Sequence, residues 1–436
     1  MVSTWSSGAS LSSPTCGKIT SEMPNESAGL TFIDFLPKCR EPGGLFSKPV
    51  FETFRTVVDR ANEWHRLNPQ WEIKTCESVE FKNKGENVDY EKMTYFEHGE
   101  GETWFIRGLR LWIVKRDSTN ERIREIGFIN IVPEERSEKG RFSTSFERLQ
   151  DVISKFNSKI TENPIPGRIV TIESQEMKMT TMGEFDPDQS NWEERGNMNK
   201  RFIFIIRIFF EIMNGIPEEI GVADFSPDVV KKRGIFSLPE YEPFSNVVKK
   251  ASDWCAQHTG LKFVNAQSLE IKIPADSSGD DVDTQKMHYT EHGSRSTFYI
   301  RIVRVAYTKI VQDVNISKKQ PSSLTQLTCK TFVPEQLSTG LFVPEFENLT
   351  KTKQRISAWV KATGALVVSA ETAAVRVSTG GEAKHGPEAS FTFNETEKDE
   401  YWIFVIRLYL NGQYNDPPSN LLPPLTEIDE SCCVLC

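Results

Sequence analysis

The chain has 436 residues, of which 38% are hydrophobic and 26% charged, with 28 Phe and a net charge of -9. That length fits two to four ordinary domains, and the composition excludes wholesale disorder, collagen and coiled-coil fibres. The acidic balance argues against a nucleic acid backbone as partner, and no apolar run approaches the ~18 residues needed to cross a bilayer.

In chain order, residues 1–27 are rich in Ser and Thr and lack the apolar core of a secretory signal, so they read as a disordered segment. One module then recurs four times: A1 at 28–122, B1 at 123–216, A2 at 217–310 and, after a linker at 311–328, B2 at 329–412. A Pro-rich tail occupies 413–436. Each module opens on a short apolar run ending in Pro37, Pro133, Pro227 or Pro334, then reaches Gly-x-Phe at Gly44, Gly140, Gly234 or Gly340.

A helical segment follows. In A1 the residues Phe51, Phe54, Val57, Val58, Ala61 and Trp64 form one stripe of a 3.6-residue period; in A2 Tyr241, Phe244, Val247, Val248, Ala251 and Trp254 repeat it. Ser47 with Pro49, Thr144 with Glu147, and Ser237 with Glu240 and Pro239 mark the expected helix starts. Next comes a strand patterned Ser/Thr-x-x-apolar-Lys/Arg, beginning at Ser78, Ser174, Ser268 and Thr372. The module closes on an aromatic and β-branched strand with one central Arg: Arg110, Arg207, Arg304 or Arg407. From the Gly to this Arg the distances are 66, 67, 70 and 67 residues.

The copies alternate in kind. A1 and A2 share Asp-x-x-Lys-Met-x-Tyr-x-Glu-His-Gly, at Asp89–Gly99 and Asp283–Gly293, whereas B1 and B2 lack it and lie an even 200 residues apart at Gly140/Gly340 and Arg207/Arg407. The expected fold is therefore α+β: four tandem β-α-β-β modules, a helix packed on an antiparallel sheet in each, arranged as two A-B pairs. A turn near Gly99 or Gly293 is expected to join the last two strands. The closing strand is apolar on both faces, so it needs two covers: its own helix, and the sheet of a neighbouring module. This element order is similar to that of dodecin-type modules, a likeness of topology that implies no function.

Several constellations invite a functional reading. If Arg110, Arg207, Arg304 and Arg407 face an interface they must be paired. Glu80, Glu176 and Glu270 on the preceding strand are the expected partners of the first three, while Ala374 leaves Arg407 without one. The alternative is a cavity for a carboxylate or phosphate ligand, lined by Arg110, Arg304 and Trp112. Glu97-His98 and Glu291-His292 could serve acid-base chemistry if they converged, but they fall at hairpin tips and no nucleophile repeats beside them. His288 and His292 lie too far apart on a strand to share a metal ion. Gly99-x-Gly101 is no dinucleotide fingerprint, and Lys231-Lys232-Arg233 reads as a solvated loop. No cofactor is expected.

Address comes from the cysteines. Cys16, Cys39, Cys76, Cys255 and Cys329 are scattered, as reduced cytosolic thiols are. The sequons at Asn25, Asn315, Asn348 and Asn394 then read as chance matches. Cys433-Val434-Leu435-Cys436 fits a prenylation box, with Cys432 as a neighbouring palmitoylation site. The adjoining Glu427 to Glu430 is acidic, which opposes an anionic leaflet. The expectation is a binding or scaffold protein held at the cytosolic face of a membrane through a prenyl group, with a protein partner. A carrier of a small apolar or anionic ligand is the first alternative, and an enzyme using the Glu-His pairs the second.

Overall fold

The computed structural model describes residues 29–424 except 45–47, 84–88, 98–101, 118–121, 137–144, 181, 196–198, 235–236, 275–281, 292–295, 312–323, 339–343, 378–385 and 395–399. The lipidation box, His98 and His292 lie outside the described residues. The chain is mixed and strand-rich, and one order of elements occurs four times. The first unit holds β1 (Leu30–Phe35), α1 (Phe54–Leu67), β2 (Trp71–Asn83), β3 (Thr94–Glu97) and β4 (Glu102–Lys115). The second holds β5 (Ile126–Ile131), α2 (Leu149–Asn157), β6 (Gly167–Met179), β7 (Asn191–Arg195) and β8 (Lys200–Ile212). The third holds β9 (Glu218–Phe225), α3 (Phe244–Gln257), β10 (Lys262–Ile273), β11 (His288–Glu291) and β12 (Thr297–Ile310). The fourth holds β13 (Leu327–Phe332), α4 (Leu349–Thr363), β14 (Val367–Arg376), β15 (Phe391–Asn394) and β16 (Glu400–Asn411).

The expected order thus needs a further strand. Between the second and the closing strand sits a short one that does not pair with its own unit. β7 pairs with β4, β11 with β8, β15 with β12, and β3 of the first unit with β16 of the last. Every unit lends a strand to the one before it, and the loan from first to last closes the chain into a ring. The reason lies in strand lengths. Each closing strand is flanked along one side by the long second strand, but the six- to eight-residue opening strand covers only half of the other side. The lent strand fills the remainder, so no long unpaired edge is left beside it.

The helices form where the apolar stripe dictates. Phe54, Val57, Val58, Ala61 and Trp64 are buried on α1, and Phe244, Val247, Val248 and Ala251 on α3. They start later than the capping pattern suggests. α1 begins after Thr53, whose side chain accepts from the Thr56 amide, and α2 and α3 begin after Arg148 and Pro243. The residues in between form a short two-stranded ribbon with the segment following the opening strand, as where Cys39–Glu41 meets Val50–Phe51 and Val229–Lys231 meets Glu240–Tyr241. Ser237, Pro239 and Glu240 therefore belong to or lead into that ribbon, and Phe51 is its last residue. In α4 the cap is Asn348, one of the sequon asparagines, which accepts from the Lys351 amide, and Gly364 ends the helix at φ 63°.

Each helix lies between two sheets. Leu109, Leu111 and Ile113 of β4 pack on α1 with Ile33 and Phe35, and the far side of α1 meets Ile126, Phe128 and Phe209 of the second unit. The same sandwich recurs around the ring: Val303 and Val305 lie below α3 and Tyr409 above it. Ile406, Leu408 and Leu410 lie on one side of α4, with Phe32 and Trp112 on the other. The second cover of each closing strand is thus the helix of the preceding unit, rather than its sheet. Sheet-to-sheet contact centres on the second strands β2, β6, β10 and β14, which meet around the middle of the ring. No helix among the described residues is long and apolar enough to cross a membrane.

Candidate functional site

The centre of the ring is a polar cavity of about 220 Å³, lined by the four second strands. Each of them carries a β-bulge at an equivalent place, between Ile73 and Thr75, Ile169 and Thr171, Phe263 and Asn265, and Val367 and Ser369. The bulge is followed by an acid or amide and a hydroxyl: Glu77-Ser78, Glu173-Ser174, Gln267-Ser268 and Glu371-Thr372. These pairs bond in rotation. Glu173 accepts from the Ser78 amide at 3.0 Å and from its hydroxyl, Gln267 from the Ser174 amide at 2.9 Å, and Glu371 from the Ser268 amide and hydroxyl at 2.6 and 2.7 Å. Glu77 accepts from the Thr372 amide and completes the circle.

The four repeated arginines stand behind this belt, each at most 4% exposed. Each donates to the hydroxyl of the preceding unit: Arg207 to Ser78, Arg304 to Ser174, Arg407 to Ser268 and Arg110 to Thr372, at 2.7 to 2.9 Å. Their charge partners differ from the sequence expectation. Arg110 binds Asp34 with both prongs at 2.7 Å, and Arg304 binds Asp224 at 2.6 and 2.7 Å, both carboxylates coming from the opening strand. Arg207 bonds to Asn130 and to the Pro187 carbonyl, and Arg407 to Glu371 and the Pro387 carbonyl. Glu80 and Glu270 pair instead with Arg107 and Arg301, three residues nearer the start of each closing strand, and Glu176 accepts from Tyr289. The register explains this: Glu80 stands opposite Arg107, and Glu77 opposite Arg110. Where the opening strand supplies no acid, the guanidinium rests on an aromatic ring of the preceding helix, Arg207 4.0 Å from Phe54 and Arg407 4.2 Å from Phe244.

Burial sets the electrostatics of the belt. It pushes the Glu77 carboxyl up to about 7, against the pull of Arg110, the Thr372 amide and the Trp112 indole, which donates at 3.1 Å. Glu173 is raised by burial too, and burial brings the Arg207 guanidinium down to about 10. Chemically the belt offers hydrogen bonds to itself. Arg110, Arg304 and Trp112 do not line the cavity, which is bordered by Glu77, Glu173, Glu371 and, at one end, Glu270 with Arg301.

The two Glu-His segments do not share a sheet. Glu97 ends β3, in the sheet of the fourth unit, and Glu291 ends β11, in the sheet of the second, where it accepts from Tyr299 and lies 3.7 Å from Lys200. What the shared motif does is visible just before them. Glu91 accepts from the Thr350 amide at 3.0 Å and from its hydroxyl at 2.9 Å, capping α4, and the Gln285 side chain accepts from the Gln150 amide at 3.0 Å, capping α2. The B units hold the same clasp in different residues. Asp188 accepts from the Arg55 amide at 2.8 Å and Glu388 from the Ser245 amide at 3.0 Å. Backbone carbonyls of Glu91, Asp188, Gln285 and Glu388 accept the preceding amide in all four helices.

A second concavity opens on the outside, between the first and second units, with a volume of about 320 Å³. Trp104 and Trp192 wall it, and Lys48, Lys178, Lys200 and Arg201 surround it. Of these residues the repeat marks Lys178 alone, as the basic end of the pattern that begins at Ser174, and no feature of the sequence assigned it a functional role. No group of three potential metal ligands gathers among the described residues. No family model, curated protein or solved structure matches the chain.

Proposed function

We propose that the chain is a non-enzymatic binding scaffold, four β-α-β-β modules in two A-B pairs closed into a ring and tethered to the cytosolic face of a membrane through Cys433. One observation supports the scaffold reading above others. The ionisable residues that repeat with the units, Glu77, Glu173, Glu371 and the four arginines, bond across unit junctions to the Ser or Thr of the preceding unit and thereby hold the ring. A catalytic reading would want such groups turned toward a substrate. The tether rests on the Cys433-Val434-Leu435-Cys436 box, with Cys432 as the second acyl site that stable anchoring requires. The ring's outer face would then carry the protein partner.

The test is the intact mass of the protein from a prenylation-competent eukaryotic cell, beside Cys433→Ser, with membrane fractionation of both. Loss of Val434 to Cys436 with gain of a prenyl group, abolished in Cys433→Ser, supports the tether. An unmodified full-length mass and a soluble distribution overturn it and leave an untethered ring. A ligand-carrying role is favoured separately by the outer pocket.

A further inference from the structure

The outer pocket has a counterpart that shows what the fold does with this place by default. The junction of third and fourth units repeats the junction of first and second residue by residue, because β15 pairs with β12 as β7 pairs with β4. By that register Trp104 matches Phe298, Glu193 matches Phe393 and Asn191 matches Phe391. On the neighbouring strand Lys178 matches Arg376, each falling opposite the third residue of its closing strand, Phe202 or Trp402. In the later junction the aromatic side chains fill the space. Phe298, Phe391 and Phe393 gather with ring centroids 6.1 to 6.2 Å apart, and Arg376 lies over Phe393 at 4.7 Å with Glu400 3.6 Å away. The concavity remaining beside them measures about 10 Å³. In the earlier junction two of those rings are replaced by Asn191 and Glu193, and about 320 Å³ stands open.

What lines the opening selects its occupant. The walls are Trp104 and Trp192, the latter held by stacking on Phe105 at 5.3 Å and by the Arg107 guanidinium 4.5 Å from its ring. Two of the four surrounding cations are already matched, Lys48 with Glu193 at 2.6 Å and Lys200 with Glu194 at 2.9 Å. The other two, Lys178 and Arg201, have no carboxylate partner among the described residues; the Lys178 ammonium lies 4.5 Å from the Phe202 ring. Burial lowers the Lys178 pKa, against the pull of Glu194, Glu291 and Glu176. The apolar Trp104 indole favours a flat ring, and Lys178 and Arg201, which form no ion pair among the described residues, favour a negative group on it.

We infer that this pocket binds a small flat aromatic molecule carrying one anionic group, with the ring on Trp104 and the anion on Lys178 and Arg201. The volume is at the small end of ligand pockets, which suits a fused two-ring system rather than a peptide. An aromatic carboxylate and a purine monophosphate share this chemistry. The inference goes beyond the scaffold reading and does not depend on the lipid tether.

The experiment is calorimetric titration of the full chain with 2-naphthoate, with adenosine monophosphate and with the uncharged 2-naphthylmethanol. At least one anion is expected to bind in the micromolar range or somewhat weaker, and the alcohol at least about tenfold more weakly than 2-naphthoate, the value of one charge-assisted contact. Naphthoate alone binding points to a carboxylate source, and the monophosphate alone to a nucleotide. Lys178→Met should weaken the anion about tenfold, and Glu193→Phe, which rebuilds the filled junction, should abolish binding. Unchanged melting of both variants shows that the ring is intact. Failure of both anions to bind at about 5 mM overturns the inference, as does equal binding of the alcohol or indifference to both substitutions.

Discussion

The carboxylate of Glu77 accepts a hydrogen bond from the backbone amide of Thr372, 295 residues away in the chain. This contact and the pairing of β3 with β16 are what turn four consecutive units into a closed ring rather than an open solenoid. Open repeat arrays need special capping units at their ends; here the first unit caps the last.

The clasp at that closure can be cut without touching the core. Glu91 holds the amide and hydroxyl of Thr350 at the start of α4. Glu91→Ala should lower stability by about 1–2 kcal/mol, the usual worth of a helix cap. Urea unfolding measures the loss, and hydrogen exchange should show it first in the opening turn of α4. Equal protection in that turn before and after substitution would contradict the capping role.

The pairing of Arg110 with Asp34 makes a sharper claim. Both side chains are buried and joined by two hydrogen bonds of 2.7 Å. Arg110→Met should be destabilising by about 3–5 kcal/mol, because Asp34 is left charged and buried alone. The double variant with Asp34→Leu should recover most of that loss. A double-mutant cycle with Glu80 in place of Asp34 should show little coupling, since Glu80 bonds to Arg107 at 2.7 Å.

Glu176 sets a pH dependence. Its closing-strand neighbour is Phe204 where the first and third units place an arginine, and burial pushes its carboxyl from 4.5 up to about 8, with Glu80, Glu291 and Glu194 adding to the rise. Between those two values the folded chain holds a proton that the unfolded chain has released, so this residue's contribution to stability falls as pH rises and levels off above about 8. Glu176→Gln should therefore match the wild type near pH ~5 and exceed it by about 1–3 kcal/mol near pH ~8.5. Parallel stability curves across that window would show that Glu176 is ionised throughout.

Half of the chain should dimerise. A fragment of residues 28–216 holds an unfilled acceptor site on β8 and an unplaced strand β3, and two copies satisfy both needs by a twofold exchange. Light scattering should give twice the fragment mass. A well-folded monomer would show that strand lending is dispensable.

Much of this architecture is written in the sequence, and its omissions have physical causes. The stripe from Phe54 to Trp64 and the two-faced closing strands follow from periodicity, which reports burial directly. The repeated arginines signalled a junction, but their acceptors could not be read, because Asp34 and Asp224 sit on a strand whose register only pairing defines. The clasp was hidden for another reason. Glu91, Asp188, Gln285 and Glu388 are alike as acceptors but not as letters, so the motif looked confined to alternate units. The lent strands are four or five residues long and follow loops, too short to show that they leave their own sheet. The outer pocket escaped because it depends on two aromatic side chains being absent.

Because the first unit is finished by the last, ribosomal synthesis leaves it incomplete for a long interval. The face bearing Phe32 and Trp112 is buried by α4 and the fourth sheet in the ring, yet β16 is made about 300 residues after Trp112. At roughly 5–20 residues per second that is on the order of 15 to 60 s in which the nascent chain presents bare aromatic surface. A holding chaperone should therefore be found on nascent chains of intermediate length, and should leave as residue 411 emerges from the exit tunnel.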